Sequence, residues 1–158
     1  MRRWILFSAL VAVLLATASC TSAQAPVLLY YYNPEQDKDA AGNLQCSAAG
    51  LVPVQRALSG KTDDLGRIAW TIHFLLEGQL TDEERAQGLT TEFPLEGVEL
   101  LNVVLQDGVL TLTFADPNFS TSGGACRTAI LWAQIEQTAL QFPGVDQVRF
   151  EPESLFQP

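Results

Sequence analysis

Apolar and polar positions alternate most clearly in the second half of the chain, where LLNVVLQ (100–106) and VLTLTF (109–114) flank Asp107-Gly108. Period-two patterning on both sides of an Asp-Gly pair predicts a type I′ hairpin. Pairing Gln106 with Val109 sets Leu105 against Leu110, Val103 against Leu112 and Leu101 against Phe114 on one face. Asn102, Val104, Gln106, Val109, Thr111 and Thr113 form a mixed opposite face, so helices are expected on a single side of the sheet. Upstream, PVLLYYYNP (26–34) predicts a buried strand stopped by Asn33-Pro34, and residues 51–58 a second strand that Pro53 pushes to an edge. Between them lies a polar, glycine-punctuated loop.

The period lengthens to that of a helix over 62–77, with Thr62 as N-cap, Asp63 and Asp64 in the first turn and Gly78 past the end. Leu65, Ile68, Ala69, Ile72, Leu75 and Leu76 form its core stripe, while Trp70 and Phe74 fall on the opposite side. Thr81 and Glu84 make a capping box that opens a short helix ending at Gly88. A second long helix is expected over 124–141, stopped by Phe142-Pro143-Gly144, and a last strand over 145–150. The order strand, strand, helix, hairpin, helix, strand predicts one α/β domain: a mixed sheet of about five strands with the two main helices packed on one face. No internal repeat is visible.

The N-terminus changes the picture. Arg2 and Arg3 precede an apolar run over 4–16 and the small residues Thr17, Ala18 and Ser19, the layout of a signal peptide over 1–19. Cleavage before Cys20 resembles a lipoprotein signal and makes Cys20 the lipidation site, with 20–25 a short tether and 26–158 the domain. Cleavage after Ala18 or Ala25, or an uncleaved anchor, are the alternatives, and each exports the domain. Nine basic residues stand against eighteen acidic ones. Without Arg2 and Arg3 the balance is seven against eighteen, a formal charge of −11, which disfavours nucleic acid as a partner. The acidic residues are scattered, as a soluble surface requires. In an oxidising compartment Cys46 and Cys126 are expected to pair as a disulfide, with two buried free thiols as the alternative. No ligand spacing for zinc is present, and no cofactor is implied.

Three stretches then resemble a known family: IHFLLEG (72–78), TEFPLEGVELLNVVLQDGVLTLTF (91–114) and ILWAQIEQTALQFPGVDQVRF (130–150). The shared features are Leu-Leu-x-Gly at a helix end, Phe-Pro before a hairpin, the Asp-Gly turn, and a helix that runs into Gln-Thr-x-x-x-Phe-Pro-x-Val-x-x-Val. Their order and spacing are similar to those of the GerMN domain of sporulation and spore germination proteins. The resemblance implies a small α/β domain of envelope lipoproteins that acts by binding or assembly, with no catalytic residue to carry over. The long loop 33–50, the expected Cys46–Cys126 bridge and the single domain copy depart from the common pattern.

Candidate chemistry is sparse. His73 is the sole histidine and lies on the flank of the first long helix, so an enzyme would depend on it alone. Ser120 and Ser122 sit where capping explains them, and neither G-x-S-x-G nor H-E-x-x-H occurs. Asp37 and Asp39, with Asn33, Glu35, Gly42 and Asn43, carry oxygen ligands that faintly resemble a calcium loop but lack its closing glutamate. TSGGA (121–125) offers either ordinary capping or an anion site beside Arg127. Glu136 falls within an apolar arc of Ala125, Ala129, Trp132, Ala133, Ala139 and Leu140, and is expected to stay wet. Trp70 and Phe74 either pack under 79–94 or anchor a partner. The resulting expectation is an exported, lipid-anchored, non-enzymatic module that binds an envelope protein. The alternative is an exported protein that binds calcium or a small ligand through the loop 33–46.

Overall fold

The computed structural model describes residues 26–58 and 63–157. The signal peptide, Cys20, the tether and Thr62 lie outside the described residues. The elements are β1 (Val27–Tyr32), β2 (Leu51–Arg56), α1 (Asp64–Leu76), α2 (Asp82–Ala86), β3 (Glu99–Gln106), β4 (Val109–Ala115), α3 (Ala125–Leu140) and β5 (Gln147–Glu151). This is the α/β domain with five strands that the patterning predicts, and its strands are divided between two sheets. β1 and β2 form an antiparallel pair; β3, β4 and β5 form a second sheet in that order, with β4 and β5 parallel.

The division has a local cause on the free edge of β1. The Gln141 side chain accepts a hydrogen bond from Leu28 N (2.7 Å) and donates one to Leu28 O (2.7 Å), imitating a neighbouring strand. Tyr30 N donates to Thr138 Oγ1 at 3.1 Å, and Tyr32 exchanges backbone bonds with Thr90. With five of its outward groups bonded to the end of α3 and to Thr90, β1 offers no continuous edge to another strand.

The same contact explains a departure on α3. Its buried face is Thr128, Leu131, Gln134, Ile135, Thr138 and Ala139, not the arc centred on alanines, and Ala125 and Ala129 are exposed. A helix that meets a strand edge needs polar groups on its inner face. Glu136 lies half-buried on the flank.

On α1, Ile68, Ile72, Leu75 and Leu76 are buried as expected, joined by Thr71. The Thr71 hydroxyl donates to Arg67 O (2.7 Å), so its burial leaves no loose donor. Leu65, in the first turn of α1, is exposed and lines a hollow with the strand around Leu100 to Val103. The N-cap is Asp63, whose Oδ1 accepts from Gly66 N at 2.8 Å. Asp107 (φ 51°) and Gly108 (φ 81°) form the predicted I′ turn, and the register follows from Gln106–Val109 through Val103–Leu112. A bulge between Leu100 and Asn102 then shifts the pairing, so that Leu100, not Leu101, meets Phe114. Leu101 is turned out and is 60% exposed.

The inward face of the second sheet carries Leu110, Leu112, Phe114, Val148 and Phe150 against α1 and α3, while Gln147, Arg149 and Glu151 face solvent. The chain beyond β5, on which the patterning was silent, folds back and buries Phe156 within 5.1 Å of Phe150 and 5.7 Å of Phe114, ring centre to ring centre. Glu84 closes the capping box through Thr81 N and also takes both guanidinium nitrogens of Arg56 at 2.8 and 2.7 Å. One carboxylate thus caps α2 and ties it to β2.

Candidate interaction surface

The outer side of α1 separates the two aromatic residues. Trp70 is 54% exposed and lies 5.9 Å from both the Phe74 and the His73 rings. Phe74 is half-buried and lines a small cavity with Leu29, Arg56, Ala57 and Gln79. Phe74 therefore packs toward β2, and Trp70 projects into solvent. Trp70→Ala is expected to shift the melting temperature by no more than about 2 °C, as for surface substitutions. A fall of several degrees in a thermal melt would make Trp70 a core residue.

A groove runs between α1 and β3. One half is lined by Leu65, Gly66 and Ala69 from the helix and by the strand around Leu100 to Val103. The other half lies between His73 and Glu77 on α1 and Val98 to Leu100 beside the strand. Sequence reasoning missed this groove. Its signal was Leu65, a leucine in a first helical turn beside acidic caps, and the unbalanced Leu-Leu pair at 100–101 where the bulge forms.

His73 stands at the rim with Nε2 3.3 Å from Glu77 Oε1. Among the described residues, no serine, threonine, cysteine or lysine lines either half. Ser120 and Ser122 do not cap α3: Gly124 is its N-cap and no side chain bonds to it. Ser120 Oγ donates to Glu96 O (2.8 Å), and Asp116 accepts from Ser120 N, Thr121 N and Thr121 Oγ1 at 2.7, 2.9 and 2.7 Å. Burial pushes the Asp116 carboxyl up, but these Thr121 and Ser120 bonds outweigh it and hold it below the usual carboxylate range. Arg127 adds bonds to Ser120 O and Ser122 O and pairs with Glu92. This bracing holds Phe119 at φ 55° with 77% of its surface exposed.

The acidic loop is satisfied by the protein itself. Asp37 is buried and accepts from Tyr32 Oη (2.6 Å), Ser47 N (2.7 Å) and Ser47 Oγ. Burial raises its carboxyl, while the Ser47 and Tyr32 donors outweigh that and hold it low. Burial and the same hydrogen bond push the Tyr32 phenol up. Asp39 accepts from Ala41 N, Asn43 N, Asn43 Nδ2 and Gln45 Nε2, and these donors, Asn43 first, lower its carboxyl. Among the described residues no group of three or more His, Cys, Asp or Glu side chains is arranged to hold a metal. Calcium would have to displace these donors, so a thermal melt is expected to be unchanged by millimolar calcium or by EDTA. A calcium-dependent rise would revive the loop as a cation site. At its far end the loop is fixed by the disulfide between Cys46 and Cys126, whose Cα atoms are 5.1 Å apart.

These features define a class before any comparison: a small two-sheet α/β domain with a stapled loop, an exposed aromatic and a groove between α1 and β3. Sequence comparison matches residues 28–153 to the Germane family, described as sporulation and spore germination. That match spans most of the chain, and the chain belongs to this GerMN-type family. The structure is similar to the tandem GerMN domains of the sporulation protein GerM from Bacillus subtilis. The TM-score is 0.57 and the identity 23%, over 90% of this chain and 44% of that one. The chain thus spans less than half of the tandem structure, and at this identity the likeness shows the fold. No curated protein matches the chain.

Two of the features that carry the resemblance meet in space. Gly78, which ends Leu-Leu-x-Gly, has φ 63°, and a Cβ built there would lie 1.8 Å from the carbonyl oxygen of Phe93 in the Phe-Pro pair. The glycine is therefore the socket on which the segment entering β3 rests.

Proposed function

We propose that the chain is an exported, lipid-tethered and non-enzymatic module of the cell envelope that binds another envelope protein. The observation that carries this is the surface of α1 and β3, where exposed Leu65 and Leu101 line one hollow and Trp70 is exposed on the same helix of an otherwise acidic chain. The arrangement of Arg2, Arg3, the apolar run and Cys20 supports export and lipidation. The Cys46–Cys126 disulfide fits an oxidising compartment. Family membership supports a binding role, and no helix among the described residues is long and apolar enough to cross a membrane.

The test is affinity capture from detergent-solubilised membranes, with the wild-type chain and its Leu101→Asp and Trp70→Ala variants as baits. A protein retained by the wild type and lost from one of these variants supports the proposal. Retention of nothing above background contradicts it.

A further inference from the structure

The edges of the two sheets are not equally protected. The outward groups of β1 are taken by Gln141, Thr138 and Thr90, as described above. β2 carries Pro53 and ends at Arg56, and β5 carries Arg149 and Glu151, the proline and charges that keep strand edges from pairing. β3 has neither: its one charge is Glu99 at the first position, and Leu101 to Gln106 contain no charge and no proline. The bulge at Leu101 turns a leucine outward without covering the strand that follows it.

The register says which backbone groups are open. The two-residue turn makes Gln106–Val109 a hydrogen-bonded pair, and bonded pairs alternate along an antiparallel ladder. Val104 and Asn102 therefore bond to β4. Val103 and Leu105 turn their N–H and C=O away from it, about 7 Å apart along the strand. Facing this edge, α1 presents Gly66 and Ala69, small enough to admit a backbone, with Leu65 and Leu101 at the sides of an apolar hollow.

The charges select the occupant. Among the described residues, Asp63 lines one end of the groove and Glu77 and Glu99 line the other, and no described lysine or arginine lines either half. A second copy pairing β3 with β3 in antiparallel fashion would set Glu99 against the acidic Asp107 turn of its neighbour, a like-charge contact. Resting on the reading of the chain as a protein-binding module, we propose that this groove takes an extended segment of a partner protein. That segment adds to β3 as a fourth strand, places an apolar side chain between Leu65 and Leu101, and carries lysine or arginine at its ends.

Three synthetic peptides test this against the purified mature chain by amide NMR: a valine-rich strand former flanked by lysines, the same peptide flanked by glutamates, and the lysine peptide N-methylated at alternate residues. The lysine peptide is expected to shift the amides of Leu101, Val103, Leu105, Gly66 and Ala69 and to bind roughly tenfold or more tightly than either control. Val103→Pro removes an outward N–H while keeping the bonds to β4, and should weaken binding by a similar factor. Leu101→Asp, at an exposed position, gives the same readout should the proline variant fail to fold. Equal binding of the three peptides, shifts confined to another surface, or no binding would overturn the assignment. So would dimerisation in analytical ultracentrifugation that Leu101→Asp abolishes. A partner captured from membranes equally by wild type and Leu101→Asp but lost from Trp70→Ala would leave the module standing and remove the groove; capture of none would remove the module itself.

Discussion

Opening the Cys46–Cys126 disulfide is expected to lower the stability of the domain by about 4 to 5 kcal/mol. The two cysteines are 80 residues apart in sequence, and on the chain-entropy account a closed loop of that length restricts the unfolded chain by about that amount. The folded side points the same way. α3 starts without a side-chain cap, so the bridge at Cys126 is what fixes its first turn to the loop. Beyond the bridge, residues 38–46 are held mainly by Asp39 and its neighbours, which are local bonds. Cys126 is exposed, so a reductant reaches it in the folded state. Denaturant titrations with and without a phosphine reductant, and of the Cys46→Ser/Cys126→Ser double variant, should agree. A loss below about 1 kcal/mol would show that the bridge restricts little.

Gly78→Ala is expected to be nearly as damaging, lowering stability by roughly 3 to 4 kcal/mol. The left-handed backbone alone costs an alanine about 1 to 2 kcal/mol. The added carbon would also meet the Phe93 carbonyl at 1.8 Å, and forced repacking of that kind costs about 1 to 3 kcal/mol. What would have to move is backbone rather than a flexible side-chain tip: Phe93 is buried, and Val98 enters the core two residues before Leu100 begins pairing with Phe114. Gly42→Ala is the natural control, because Gly42 has a positive φ of 85° with nothing within 4 Å of its Cβ position. It should lose only the conformational part. Equal losses for the two variants would show that the contact with Phe93 is unimportant.

The hairpin, its register near the turn, the capping box and the order of elements were all legible in the sequence, because each depends on residues within a few positions of one another. Asp107-Gly108 and Thr81 to Glu84 specify their structures locally. What escaped was set by contacts between distant segments. Gln141 and Thr138 look like exposed helix positions until β1 is laid beside them, and only then does the buried face of α3 rotate away from its alanines. The bulge at Leu101 depends on which of two adjacent leucines meets Phe114, a choice that period-two patterning cannot make. The candidate surface was half legible for the same reason. Trp70 stood out from the helical wheel alone, whereas the groove beside it needs α1 and the bulged strand together. Asp37 and Asp39 share an acidic loop in sequence, yet each accepts hydrogen bonds from its own set of protein donors, Asp37 in the interior and Asp39 at the surface.

The intact mass of the protein extracted from membranes under non-reducing conditions tests the central claim most directly. The account predicts a chain beginning at Cys20, carrying lipid, two hydrogens lighter than its reduced form and inert to alkylation until a reductant is added. A full-length chain with an unmodified N-terminus, in which Cys46 and Cys126 both alkylate in the folded state, would contradict it.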